Sequence, residues 1–232
     1  LQPKWFEDLI EGISLYRPGP MDFIPKYIEN KHNPDKVVYD TPFLEPILKN
    51  SYGVIIYQEQ VMQIFQQLAG YSLGQADLVR RAMAKKKKKE LMEQKDKFIY
   101  GSPADGITGC ASLGIPAEVA AKIFADMESF ASYAFNKSHA AAYAVVAYRT
   151  AYLKHFYPRE FLAGVLNDRI DKIEEISKYV MYMKEKNIDV LPPDINKSRD
   201  IFWVEGNGIR IGLGALRGVG QDAIAGVIKE RQ

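Results

Sequence analysis

The sequence predicts a mainly α fold, a multi-helix domain with a small β-hairpin near the C-terminus. Most of the first 200 residues carry apolar side chains at helical spacing, and prolines or glycines interrupt the pattern where helices would end. Strand-like alternation is confined to "FWVEGNGIRIGL" at 202–213, on either side of Gly206, Asn207 and Gly208. Such alternation around a glycine-rich turn is typical of a hairpin.

Composition excludes several classes of protein. A chain of 232 residues, 47% hydrophobic and 26% charged, can bury a sizeable core. The formal net charge of +2 is nearly neutral, so any electrostatic signal must be local. A single cysteine, Cys110, excludes an internal disulfide and a multi-cysteine zinc site, which fits a reducing cytosol. No apolar run approaches the roughly 20 residues of a membrane helix, so no membrane partner is expected.

The first half of the chain contains five predicted helices. Trp5 and Phe6 open an amphipathic stretch that runs to about Leu15. "RPGP" at 17–20 ends it, because two prolines flanking a glycine cannot continue a helix. The other four helices are predicted at 21–31, 42–49, 58–69 and 73–98.

The second half begins with a loop at 101–115 that is rich in glycine and small residues. Helices are then predicted from Pro116 to about 133, over "ASYAFNKSHAAAYAVVAYRTAYLKHFYP" up to Pro158, and at 158–167 and 172–187. "LPPDIN" at 191–196 is predicted to be extended, and a last helix follows "GVG" at 218–220. We therefore predict a helical core at 1–200, which the 101–115 loop could divide into two lobes. The hairpin, the terminal helix and a helix–hairpin–helix-like turn would follow at 201–232.

A basic stretch on the predicted helix 73–98 is the first candidate binding surface. One helix face would carry, at successive i, i+4 positions, Asp77, Arg81, Lys85 and Lys89. A solvated, lysine-rich face is one interpretation. The other is an anion site, because the adjacent Arg80 and Arg81 offer planar forks of donors that suit phosphate. The lysine run, including Lys86 and Lys87, would add a salt-dependent attraction to a nucleic-acid backbone.

The polar head "NKSH" at 136–139 is the second candidate. Asn136 or Ser138 can cap the helix that follows. Capping does not explain Lys137, because a helix N-terminus carries partial positive charge. A phosphate held by the terminal amides, Lys137 and His139 would explain it. For His139 alone, an interior histidine with its hydrogen bonds satisfied is the alternative.

Alanines behind this head predict a thin helix that other elements can approach closely. The tyrosines between them, Tyr143, Tyr148 and Tyr152, are predicted to fill a core or line a groove. Stacking of one of these rings on a nucleic-acid base is the alternative.

The turn at 218–220 is the third candidate. Glycine-freed amides at a helix start can hold a DNA phosphate, which makes Gly218 and Gly220 candidate DNA-binding residues. Arg217 could add charge. A plain glycine-rich helix start is the alternative, and Arg210 and Arg217 could equally be surface residues.

Five ordered blocks resemble the bacterial replicative DNA polymerase III alpha subunit, the C-family of DNA polymerases. They are "LYRPGPMDFIPKYIENKH" at 15–32, "SYGVIIYQEQVMQIFQQLAGYSLGQADLVRRAMAKK" at 51–86, "FNKSHAAAYAVVAYRTAYLKHFYPREFLAGVL" at 135–166, "LPPDINKS" at 191–198 and "IGLGALRGVG" at 211–220. The resemblance runs over nearly the whole chain and is highly specific. "FNKSH" is more similar to the main branch than to the branch with an inserted exonuclease.

The resemblance implies that this region forms the fingers, which close over the incoming nucleotide and the primer–template. It implies a nucleotide-binding set of Arg80, Arg81, Lys85, Asn136, Lys137, Ser138, His139, Tyr57 and Gln58. Ala84, Ser132 and Ala134 stand where the family usually has glycine, which allows closer backbone approach. Alanine at 84 also favours continuing the helix by about 1 kcal/mol over glycine.

In the parent protein the implied activity is DNA-directed nucleotidyl transfer. Its chemistry uses palm aspartates that hold two Mg²⁺ ions. These are expected before the point where this chain begins, so no catalytic residue or metal ligand is predicted here, and the chain alone is expected to bind without polymerising. The implied partners are dNTP, primer–template DNA, the palm domain of the same polypeptide, the sliding clamp and the clamp loader.

The implied location is the bacterial cytoplasm, in association with the nucleoid during replication. A different class of protein, a non-catalytic helical module that binds DNA or a partner, stays open. The first hypothesis predicts that Arg81 and Lys137 meet in one cleft, whereas the second needs only a diffuse basic face.

Overall fold

The computed structural model describes residues 2–17, 20–85, 88–131 and 134–231. The predictions for Lys86, Lys87 and Ser132 lie outside these residues. The described part is mainly helical with one small sheet near the C-terminus, which confirms the predicted fold class. Its elements are α1 Phe6–Leu15, α2 Ile24–His32, α3 Glu45–Leu48, α4 Gln58–Ala69, α5 Leu73–Ala84, α6 Lys88–Tyr100, α7 Ala117–Ala131, α8 Lys137–Phe156, α9 Pro158–Asn167, α10 Ile173–Glu185, β1 Asp189–Leu191, β2 Trp203–Glu205, β3 Gly208–Arg210 and α11 Gln221–Glu230.

The chain divides into two compact units, Leu1–Val145 and Val146–Gln232. This division falls within α8. The sequence-based boundary at 200 and the lobe break near 101–115 stay predictions.

The larger core of the first unit lies between α4, α5, α6 and α7. Three fully buried rings, Phe65, Phe98 and Phe124, meet at its centre with centroids 5.2, 6.0 and 5.7 Å apart. The apolar faces of all four helices converge on this cluster, and burial of each such side chain stabilises the fold by about 1.5–3 kcal/mol.

Helix α4 is followed almost at once by α5. Gly70 ends α4 in the left-handed conformation, with φ 73°, which glycine adopts without steric cost. Ser72 then caps α5, and its hydroxyl accepts a hydrogen bond from the Gln75 N–H at 3.3 Å. These two local signals make a tight helical hairpin.

The predicted single helix at 73–98 was wrong. α5 ends at Ala84 and α6 begins at Lys88, so Lys89 does not continue the face that carries Asp77 and Arg81. Alanine and lysine favour a continuous helix locally, but packing overrides that preference. Met83 and Leu91 are both buried in the same core cluster, because α5 and α6 pack against one another.

A second core in the first unit brings the start of α8 against α1 and α2. Ala140 and Ala144 are fully buried there beside Leu15 and Tyr27, as expected for a thin helix.

The tyrosines of α8 do not fill a core, so that part of the first interpretation was wrong, whereas the lining of a groove stays a prediction. The exposed fractions of Tyr143, Tyr148 and Tyr152 are 57%, 55% and 44%. Alanine brings one face of α8 close to its neighbours, and the tyrosines project from other faces.

The second unit packs α9 and α10 against a three-stranded sheet of order β1-β3-β2. β2 and β3 form the predicted hairpin, with Trp203 opposite Arg210. β1 pairs in parallel with β3, and this pairing was not predicted. "LPPDIN" is extended only at its start, because Ile195 and Asn196 lie in a turn. Within the described ranges, no helix is both long enough and apolar enough to span a membrane.

Candidate nucleotide and nucleic-acid interface

The segment before α4 runs alongside the segment before α8. The Phe135 N–H donates to the Ile56 carbonyl at 3.2 Å, and the Gln58 N–H donates to the Phe135 carbonyl at 3.0 Å. The Gln58 side-chain amide also donates to the Ala134 carbonyl at 3.0 Å. Two predicted nucleotide-binding stretches, "YQ" at 57–58 and "NKSH" at 136–139, are therefore neighbours.

Asn136 is the residue that caps α8. Its side-chain oxygen accepts a hydrogen bond from the His139 N–H at 2.9 Å. Its amide nitrogen donates to Glu59 at 3.2 Å, and both carboxylate oxygens of Glu59 accept from the Lys137 N–H, at 3.1 and 3.2 Å. A helix start favours an anion, and here Glu59 supplies it.

The Lys137 side chain also has partners within the protein. Its ammonium forms an ion pair with Glu7 of α1 and lies 5.1 Å from the centre of the Tyr57 ring. Sequence reasoning missed both Glu7 and Glu59, because they lie far from Lys137 in the chain and no local spacing links them. The ammonium is not sealed off, since the Lys137 side chain is 38% exposed.

Tyr57 itself is buried, with 3% of its surface exposed. Burial raises the pKa of its hydroxyl, so the side chain stays neutral. Tyr57 is therefore a buried, neutral residue behind the start of α8, and its ring lies against the Lys137 ammonium.

Ser138 and His139 face solvent, so the alternative of an interior histidine was wrong. The His139 ring lies 5.4 Å from Phe135 and 4.9 Å from Tyr143. The guanidinium of Arg17 lies 4.3 Å from the Phe135 ring centre, which brings one more cation to this end of α8. Sequence reasoning missed this arginine, because "RPGP" indicated only a helix break.

Arg80 and Arg81 share one carboxylate. Arg80 donates from Nε and Nη2 to Asp77 at 3.0 and 2.7 Å, and Arg81 Nη2 reaches the other oxygen at 2.8 Å. The Arg80 hydrogen bond holds the pKa of Asp77 below its usual value. The Arg80 side chain is 14% exposed, whereas Arg81 is 64% exposed, so Arg81 is the one that an anion can reach. Lys85 follows α5 directly and is exposed.

The α4–α5 hairpin relates these arginines to the start of α8. A connection of three residues between two packed helices makes them antiparallel, so the last turn of α5 returns to the end where α4 begins. Val61, near the start of α4, and Met83, near the end of α5, lie in the same buried cluster. Arg81 and Glu59 therefore belong to the same end of the hairpin.

The turn at 218–220 lies in the second unit and is open to solvent. Gly218 adopts φ 83°, and Gly220 precedes α11 without a side-chain cap. Arg217 is exposed beside them. Arg210 is not a surface residue: it is 6% exposed and forks onto Glu205, with Nη2 at 2.7 Å.

Within residues 2–17, 20–85, 88–131 and 134–231, no cluster of three or more His, Cys, Asp or Glu side chains could hold a metal ion. The described side chains therefore do not fit the implied Mg²⁺ ions. That cofactor and its ligands stay a prediction about the parent protein.

Comparisons with known proteins show which class of protein the chain resembles. Residues 1–106 match the family model of the bacterial DNA polymerase III alpha subunit finger domain, and residues 187–232 match a helix-hairpin-helix motif. The chain is thus similar to a polymerase finger domain followed by a helix-hairpin-helix motif.

Three proteins named DNA polymerase III subunit alpha align with the chain along its whole length. The Chlamydia muridarum protein is 47% identical over 232 residues, the Thermus aquaticus protein 44% over 237 and the Staphylococcus epidermidis protein 42% over 232. The chain covers 18%, 19% and 21% of these relatives. The predicted resemblance to the bacterial DNA polymerase III alpha subunit is therefore confirmed.

Proposed function

We propose that this chain forms the fingers segment of a bacterial replicative DNA polymerase and binds the incoming dNTP and primer–template DNA. The observation that carries the proposal is the convergence of Tyr57, Gln58 and the start of α8 at the end of the α4–α5 hairpin. The finger-domain match over residues 1–106 supports the same assignment. The reaction of the parent protein would be DNA-directed nucleotidyl transfer.

Arg81 would be the first contact for the triphosphate. It is the more exposed of the two arginines, and its fork can exchange one oxygen of Asp77 for a phosphate oxygen. Arg80 would keep Asp77 oriented during that exchange. Lys85, one helical turn after Arg81, would add charge near the phosphates.

On triphosphate binding, the Lys137 ammonium would exchange its ion-pair partner, whereas the Lys137 backbone N–H would keep its hydrogen bond. A phosphate oxygen would replace the Glu7 carboxylate at the exposed ammonium, while Glu59 stays on the backbone N–H. Asn136 would hold the helix start, and Ser138 and His139 would line the cleft from the solvent side. The site would thus be assembled before nucleotide arrives, which lowers the cost of ordering it.

The remaining chemistry and partners belong to the whole polymerase. The palm residues of the parent would hold Mg²⁺, which would supply stabilisation of the negative charge during transfer. We assign those ligands to the palm domain of the same polypeptide, so this chain alone would be inactive. The sliding clamp and clamp loader would be partners of the parent, which would act in the cytoplasm at the nucleoid.

A second candidate function is a non-catalytic module that binds DNA. The helix-hairpin-helix match at 187–232 favours it, and Arg217, Gly218 and Gly220 would hold a phosphate. This function needs no triphosphate cleft.

Binding of a dNTP and of primer–template DNA across a salt series separates the two functions. The proposal predicts dNTP binding that Arg81→Ala and Lys137→Ala each weaken. Lys36→Ala is the matched control, because this exposed lysine of the first unit is remote in sequence from both stretches. If the chain instead bound DNA but not dNTP, and neither substitution changed the DNA affinity, the result would favour the non-catalytic module.

A further inference from the structure

A basic groove in the second unit belongs to no site described above. Two adjoining cavities of about 470 Å³ each share Lys154, Leu162 and Tyr182. We call their common surface the lysine–tyrosine groove. It lies between the last turns of α8, the first turns of α9 and the length of α10, and its polar and aromatic lining is Lys154, His155, Phe161, Glu175, Lys178, Tyr179, Tyr182 and Lys186.

Charge in this groove is strongly one-sided. Lys154, Lys178 and Lys186 all line it, and no carboxylate forms an ion pair with any of them in the described residues. Glu175 is the acidic side chain in the described lining, and it is already bound to Arg169 at 2.9 Å. Three unpaired ammonium groups in a nearly neutral protein indicate an anionic ligand.

The aromatic side chains indicate which kind of anion fits. The ammonium groups of Lys154 and Lys186 lie 4.9 and 5.7 Å from the centre of the same Tyr182 ring. His155 lines the groove, and its ring lies 4.6 Å from Phe156, which lies 4.6 Å from Tyr152; we call these three the rim rings. Phe156 and Tyr152 are 60% and 44% exposed. Alternating cations and exposed rings match the phosphates and bases of an unpaired strand.

We propose that the lysine–tyrosine groove binds single-stranded DNA, with phosphates on the three lysines and bases stacked on Tyr182 and the rim rings. The proposal rests on the proposed function, because a template-directed polymerase must handle an unpaired template strand. Phosphates would draw the two ammonium groups away from Tyr182 and free the ring for a base. Duplex DNA would fit less well, since its bases are already stacked.

The first test measures binding of labelled oligothymidine to the whole chain by fluorescence anisotropy across a salt series. The triple variant Lys154→Gln, Lys178→Gln, Lys186→Gln should bind about tenfold more weakly at low salt. Its log–log salt slope should fall by about 2, as expected for three lost phosphate contacts to a single strand. Lys184→Gln is the matched control, because this lysine is exposed on α10 but does not line the groove.

The second test separates stacking from simple charge attraction. Tyr182→Leu should weaken oligothymidine binding about fivefold or more, and Tyr182→Phe, which keeps the ring, should leave it nearly unchanged. Circular dichroism checks that each variant folds. A photoreactive bromodeoxyuridine strand should cross-link to the peptide that contains Tyr179 and Tyr182.

Several results would overturn the inference. They are a triple variant that binds like Lys184→Gln, a cross-link elsewhere, tighter binding of a duplex of equal length that the triple variant also loses, or equal competition by polyglutamate. Triphosphate binding to the unmodified chain is measured separately. If the chain bound the single strand through the groove but did not bind triphosphate, the result would count against the proposed function. If it bound triphosphate but did not bind the single strand through the groove, the result would count against the groove.

Discussion

At the scale of single residues, carboxylates of the protein itself hold the start of α8. Glu59 accepts from the first amide of the helix, and Glu7 forms the ion pair with Lys137. The sequence indicated correctly that Lys137 needs an anion nearby, and Asn136 as a cap could be predicted from local chemistry alone. The identity of the anions could not, because Glu7 and Glu59 reach Lys137 only through tertiary packing.

We predict that Glu59→Gln lowers the free energy of unfolding by about 1–2 kcal/mol. The carboxylate accepts charge-assisted hydrogen bonds at a helix N-terminus, and a neutral amide replaces them with weaker ones. Urea denaturation measures the difference. Glu128→Gln, on the exposed side of α7, is the control, and an equal effect of the two substitutions would contradict the assignment.

Glu11 gives a prediction about pH. It is 1% exposed, and burial raises its pKa to about 7, while the Tyr27 hydroxyl donates to it and opposes the rise. The folded state therefore holds a proton that the unfolded state releases above its ordinary value of 4.5. Stability contributed by this group is full below about pH 4.5 and falls as pH rises to about 7, by on the order of 3 kcal/mol.

Comparison of the wild type with Glu11→Gln isolates this effect. Glutamine keeps an acceptor for Tyr27 but does not titrate, so the stability difference between the two proteins should shift in favour of glutamine as pH rises from 4.5 to 7. Denaturant midpoints at several pH values measure it. Parallel pH profiles would mean that Glu11 titrates normally in the folded protein.

At the scale of elements, local sequence signals were sufficient to predict the bounds of a helix where tertiary packing agrees with them. The α4 and α9 helices have the predicted bounds, 58–69 and 158–167. Gly70 marks the end of α4, and Pro158 marks the start of α9. The break between α5 and α6 could not be predicted, because it accompanies the packing of the two helices against one another and has no local sequence signal. The parallel pairing of β1 with β3 joins segments with no local sequence signal between them.

The α4–α5 hairpin depends on Gly70. A Cβ there would meet Thr108 Oγ1 at 2.5 Å, and φ is 73°. We predict that Gly70→Ala lowers the free energy of unfolding by on the order of 2 kcal/mol or more. Gly106→Ala is the matched control, because its φ is 70° but nothing lies within 4 Å of its added Cβ. Equal losses in urea denaturation would show that the Thr108 contact is unimportant.

At the scale of the whole molecule, the chain consists of two compact units with separate assignments. The first carries the residues proposed for the triphosphate, and the second carries the helix-hairpin-helix match and the lysine–tyrosine groove. The sequence predicted the fold class and the family. It could not predict the groove, because Lys154, Lys178 and Lys186 lie on different turns of two helices and meet only after folding.

Arg81 and Lys137 are proposed to act on one triphosphate. A double-mutant cycle on dNTP affinity, with Arg81→Ala, Lys137→Ala and both together, tests it most directly, and Lys36→Ala serves as the control. We predict that each single substitution weakens binding at least about threefold, and that the two effects are coupled by about 0.5 kcal/mol or more. A dNTP affinity that either substitution leaves unchanged, or losses of binding free energy that add without coupling in the double variant, would contradict the shared cleft.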